Sequence, residues 1–142
     1  MSLFADQGRA QLRARYRHAW QRWRAGEPLS PLDAQIAAVI GEHPEYQSAV
    51  VGDEAPEREY PAAAVGDNPF LHLGLHLAVR EQISTDRPAG VAQIHRRLTA
   101  SLGSSHAAEH RMIEPLAETL WEAQRAGRAA DEQAYLQRLQ RL

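Results

Sequence analysis

Apolar residues recur along this chain at helical spacing, and no stretch alternates in the manner of a strand. Leu12, Tyr16, Ala19, Trp20 and Trp23 fall on one face of a helix predicted from Leu3 to Ala25. Gly26, Pro28 and Pro31 end it. Ser30 can cap a second helix, with Pro31 in its first position and Asp33 in its first turn. That helix runs to about His43, where Pro44 stops it, and its stripe is Leu32, Ile36, Val39, Ile40 and His43. Residues 44–67 read as a long loop, although EYQSAV can extend a helix briefly. Asp67 or Asn68 caps a third helix that reaches about Ser84. It is apolar around nearly its whole circumference (Phe70, Leu71, Leu73, Leu75, Leu77, Val79 and Ile83), as a buried helix is.

TDRPAG is a turn, and a fourth helix spans about Ala89 to Leu102, ending at Gly103. Ser104 or Ser105 caps a fifth helix that reaches about Ala126, with Pro115 expected to kink or break it. A sixth, short helix covers about Asp131 to Leu142. The predicted fold is all-α, a bundle of five or six helices with a four-helix core. The length of 142 residues suits a single helical domain over 1–142, its first 28 residues an arginine-rich helix.

Composition narrows the chemistry. There is no cysteine, so a metal would be held by nitrogen and oxygen donors. No apolar run has the length of a membrane span and MSLFADQGRAQ lacks a signal-peptide core, so a cytoplasmic protein with no membrane partner is expected. Net charge is −2, but residues 1–27 carry six arginines against Asp6 and Glu27, and DEAPERE at 53–59 is acidic. The arginines of RARYRHAWQRWR alternate with aromatics that belong to the helical stripe, and no second basic patch extends them. That argues against a nucleic-acid partner; a protein partner or a homo-oligomer stays open. No glycine-rich phosphate loop and no serine-nucleophile motif is present.

Histidine carries the candidate chemistry. His72 and His76 in NPFLHLGLH, and His106 and His110 in SSHAAEH, are two pairs at a spacing of four. On a helix each pair stacks on one face, a bidentate clamp for a metal. If sequential helices pack antiparallel, both pairs reach one end of the bundle, as does His43 at the finish of helix 2, while His18 and His95 fall toward the other. The histidine faces continue into Val79 and Ile83 on the third helix, and into Ile113, Ala117 and Trp121 on the fifth. The expected site is a divalent metal, zinc or iron with nickel as a further candidate, on His72, His76, His106 and His110, with His43 as a fifth ligand. Second nitrogens of the rings need acceptors, for which Glu109, Glu114, Glu81, Glu45 and Tyr46 are near in sequence.

HAAEH also fits the H-x-x-E-H pattern of inverted zincins, which makes Glu109 a candidate acid or base beside Glu114, although such enzymes need a larger scaffold. Catalysis is left open: a metal-dependent hydrolase and an oxygen-handling protein both fit. The alternative is a non-enzymatic helical interaction module with structural, buried histidines.

NPFLHLGLHLAVREQ, the earlier EHPEY and the later EH, LWEAQR and AYL together resemble a bacterial family catalogued as domain of unknown function 1841. The resemblance covers nearly the whole chain and implies no activity. It implies a further histidine four residues after His43, where this chain has Gln47, and this departure bears on the share of helix 2 in the site. In architecture the paired histidines are also similar to hemerythrin-like di-iron bundles and to the zinc or nickel bundles of the DinB-like superfamily.

Overall fold

A computed structural model describes residues 3–52 and 68–142. Among these residues the fold is all-α: seven α-helices and one short 3-10 turn, with no strand. The chain divides into two compact units, Met1–Leu73 and Gly74–Leu142. None of the helices is long and apolar enough to cross a membrane.

In the first unit, α1 (Leu3–Arg24) packs on α2 (Pro31–Gly41) and on α3 (Gln47–Val51). Tyr16, Ala19 and Trp20 form the buried stripe of α1 against Ile36, Val39 and Ile40 of α2. The stripe is narrower than the sequence suggests, because Leu12, Trp23 and Leu32 are exposed at its margins, with Trp23 stacked on Trp20 at 5.4 Å. Ser30 caps α2 as expected, its Oγ accepting from the Asp33 amide at 3.2 Å. The helix stops at Gly41, two residues short of His43. His43 precedes Pro44, whose ring disfavours the helical conformation in the residue before it, and His43 takes φ −127° and ψ 71°.

Pro44–Tyr46 then form the 3-10 turn, leading into α3. The start of the stretch read as a loop is therefore helical, which accounts for one more helix than the five or six expected. Gly52 ends α3 at φ +89°, a conformation that favours glycine. The rest of that stretch lies outside the described residues.

Helix α4 (Pro69–Thr85) begins in the first unit and continues into the second. Asn68 caps it, Oδ1 accepting from the Leu71 amide at 3.1 Å. Leu73, Leu75, His76 and Val79 are buried, as its all-round apolar character requires. In the second unit, α5 (Val91–Leu102) and α6 (Ser105–Ala126) form an antiparallel hairpin around Gly103, and α7 (Glu132–Gln140) packs on both. Helix α5 starts two residues later than predicted. Asp86 Oδ1 accepts from the amides of Gly90 and Ala92 and sets its first turn there.

Helix α6 runs unbroken through Pro115, where a kink or a local break was expected. The proline withholds one amide donor, yet Met112, Ile113, Leu116 and Thr119 stay buried on both sides of it, and that packing holds the helix together. Ser104 caps α6, its Oγ accepting from the Ala107 amide at 3.0 Å. Ser104→Ala is expected to cost about 1 kcal/mol, read as a lower denaturant midpoint at an unchanged slope.

Candidate metal centre

The second unit brings three imidazoles together. His76 stands on α4, four residues before Arg80. His106 and His110 are one turn apart at the start of α6, a position fixed by the Ser104 cap. Their ring centroids are 4.3 Å apart, and His76 lies 5.1 Å from His106 and 4.7 Å from His110. One nitrogen from each ring lies within 4.8 Å of the corresponding nitrogens of the other two. A tetrahedral ion with bonds of about 2.0–2.1 Å holds its donors about 3.4 Å apart, so small side-chain movements close this triangle. His76 is fully buried, whereas His106 and His110 are partly open to solvent. A bound ion would therefore meet water on the α6 side.

Glu109 is buried between these two histidines in sequence, and its Oε1 accepts from Arg80 Nε at 2.7 Å. The carboxylate that fits the H-x-x-E-H pattern is thus committed to a guanidinium on the neighbouring helix. Glu114 is exposed, as are Glu81 and Glu45. Arg80, which pairs with Glu109 beside the histidines, is the residue that the sequence reading did not single out. Its signal was available: it follows His76 by one turn, on the helix that faces the H-x-x-E-H segment.

In the first unit, His43 and His72 pair with each other. His43 is fully buried. Its Nδ1 lies 2.7 Å from the Val39 carbonyl oxygen, which can only accept, so Nδ1 carries the proton and Nε2 the lone pair of the neutral ring. His72 Nε2 lies 3.2 Å from that nitrogen and donates to it. Tyr46 stacks on His43 at 5.5 Å and 10°, and meets His72 edge-on at the same distance. Gln47, at the position where the resemblance implied a histidine, donates from Nε2 to the Ile40 carbonyl at 3.3 Å and closes the end of α2.

The two remaining histidines stay out of these groups. His18 is exposed on α1. His95 was expected at the far end from His106, but its Nε2 lies 3.0 Å from Ser105 Oγ. Its seven residues to the end of α5 span only about 10 Å, so the hairpin brings it back to the start of α6. Trp121, expected on the inward face of α6, is exposed with the Arg125 guanidinium 4.6 Å over its ring.

No curated protein and no solved structure matches the chain. The sequence model of one family, described as "Domain of unknown function (DUF1841)", matches residues 8–141. That span takes in His43, His72, His76, His106 and His110. The chain belongs to the DUF1841 family.

Proposed function

We propose that this protein binds a divalent metal through His76, His106 and His110. The observation that carries the proposal is the triangle of imidazoles on α4 and α6, with centroids 4.3–5.1 Å apart. His76, His106 and His110 make up a donor group of the chemistry that one ion takes.

Nitrogen-rich ligation suits zinc or iron, and nickel is the third candidate. The ion would supply Lewis acidity, and a water bound to it would have a lowered pKa. That is the basis for a hydrolytic or oxygen-handling role. Glu109, held by Arg80, is placed to orient the α4 and α6 donors rather than to carry a proton.

Elemental analysis tests the proposal directly. Protein purified without chelator is expected to carry close to one equivalent of a transition metal. His76→Ala is expected to carry less than about a tenth of it, since losing one ligand of a small set costs at least as much as losing its supporting residues. Wild-type protein that stays metal-free, and takes up neither zinc, iron nor nickel on reconstitution, sinks the proposal.

A further inference from the structure

The three donors of the second unit have one property in common: an imidazole binds a metal as a neutral ligand. A divalent ion on His76, His106 and His110 therefore keeps its whole double charge. Where two histidines and one carboxylate hold the ion, the protein itself removes one unit of that charge. Among the described residues no aspartate or glutamate joins this histidine group.

The surroundings within the second unit do not make up the difference. Glu109 is the buried carboxylate beside the group, and Arg80 Nε donates to it at 2.7 Å, so that pair is neutral as a whole. Arg111 follows His110 directly and Glu114 lies one turn beyond it; both are exposed, and their charges cancel. Glu81 follows Arg80 on α4 and is exposed to water, which screens it. His106 stands in the first turn of α6, at the positive end of the helix dipole. An ion held here is a concentrated positive charge with no counter-charge built beside it.

We propose that the site takes a small carboxylate as its substrate or ligand, which displaces water from the ion and brings the negative charge that the protein withholds. The inference rests on the metal-binding reading and adds to it the chemical class of the molecule bound. An ion with three side-chain donors completes its coordination from outside. His106 and His110 are partly open to solvent and His76 is buried, so the approach is from the α6 side. A carboxylate oxygen suits zinc, iron and nickel alike. A neutral amide of the same size offers an oxygen but no charge, and gains little over the water already there.

Cobalt(II) reports ligand exchange through its visible absorption. The full chain is stripped of metal, loaded with one equivalent of cobalt(II), and titrated with acetate or with acetamide while perchlorate holds the ionic strength constant. Acetate is expected to change the spectrum and to saturate, and acetamide to leave it as it was. His110→Glu puts a carboxylate at the reach of the lost imidazole and lowers the charge of the site by one. Its acetate affinity should fall about tenfold or more, the effect of one added charge within a few ångströms. Glu114→Gln keeps all three histidines, removes an exposed negative charge one turn from His110, and should raise acetate affinity a few-fold; it decides the question where the glutamate variant fails to hold cobalt. A wild-type spectrum that acetate leaves unchanged overturns the inference, and so does one acetate affinity shared by the wild type and every cobalt-binding variant. In both cases the cobalt taken up still upholds the metal-binding reading. Absence of cobalt uptake by the wild type overturns the two together.

Discussion

Replacing His106 and His110 together by phenylalanine is expected to abolish metal-dependent stabilisation while leaving the metal-free fold close to intact. The rings are 4.3 Å apart and partly open to solvent, so phenylalanine fills the same space without burying a new polar atom. A metal at a thousand times its dissociation constant stabilises the wild type by about 4 kcal/mol. For a chain of this length that is a rise of about 10 °C in Tm. Scanning calorimetry with and without added metal should show the rise in the wild type and none in the double variant. A wild-type Tm indifferent to zinc, iron and nickel would refute the expectation.

The size of that effect follows from how the rings are held. Three polar imidazoles gathered at one place lose hydration, a cost that ordinary packing does not return. His106 also lies in the first turn of α6, whose positive dipole end opposes a nearby cation by about 0.3–1 kcal/mol. Ligand bonds to an ion exceed both terms, since structural zinc sites bind by about 10–16 kcal/mol at neutral pH.

Much of the fold was legible in the sequence because local signals agreed. Ser30, Asn68 and Ser104 each accept an amide hydrogen at the start of a helix, and the side-chain chemistry that predicts a cap is what forms it. What periodicity could not decide was the width of each buried face. Leu12, Trp23, Leu32 and Trp121 are in register with core residues and are nevertheless exposed. The short helix after His43 was also obscured, because Pro44 and Pro56 on either side of it read as loop punctuation.

The site was legible as a list of residues and not as a set of partners. Both histidine pairs have the same spacing, so the sequence treats them alike. Yet the His106 and His110 rings lie beside each other, whereas His72 pairs with His43 and its helical neighbour His76 joins the α6 pair. Rings one turn apart start about 5.4 Å from each other along the axis, and side-chain torsions then send them to different neighbours. Spacing fixes which residues share a face; the packing of other elements decides which of them meet.

Removing the Arg80 side chain is expected to cost far more than removing its partner. Glu109 is 4% exposed on its side chain and Arg80 26%. Arg80→Met leaves a buried carboxylate without its cation, a loss of about 3–5 kcal/mol. Glu109→Leu leaves a guanidinium that water can reach, and the variant should lose about half as much or less. The double variant Arg80→Met/Glu109→Leu should recover most of the stability, because an apolar pair of similar volume replaces two desolvated charges. Urea denaturation of the metal-free forms measures all three. Metal affinity separates stability from placement: Arg80 is one turn from His76 and Glu109 is next to His110, so the ion pair fixes how α4 and α6 present their donors. The double variant should therefore remain folded yet bind metal about 10–100-fold more weakly. Full stability together with unchanged affinity would reduce the ion pair to a replaceable packing element, and equal losses from the two single variants would contradict the asymmetry in burial.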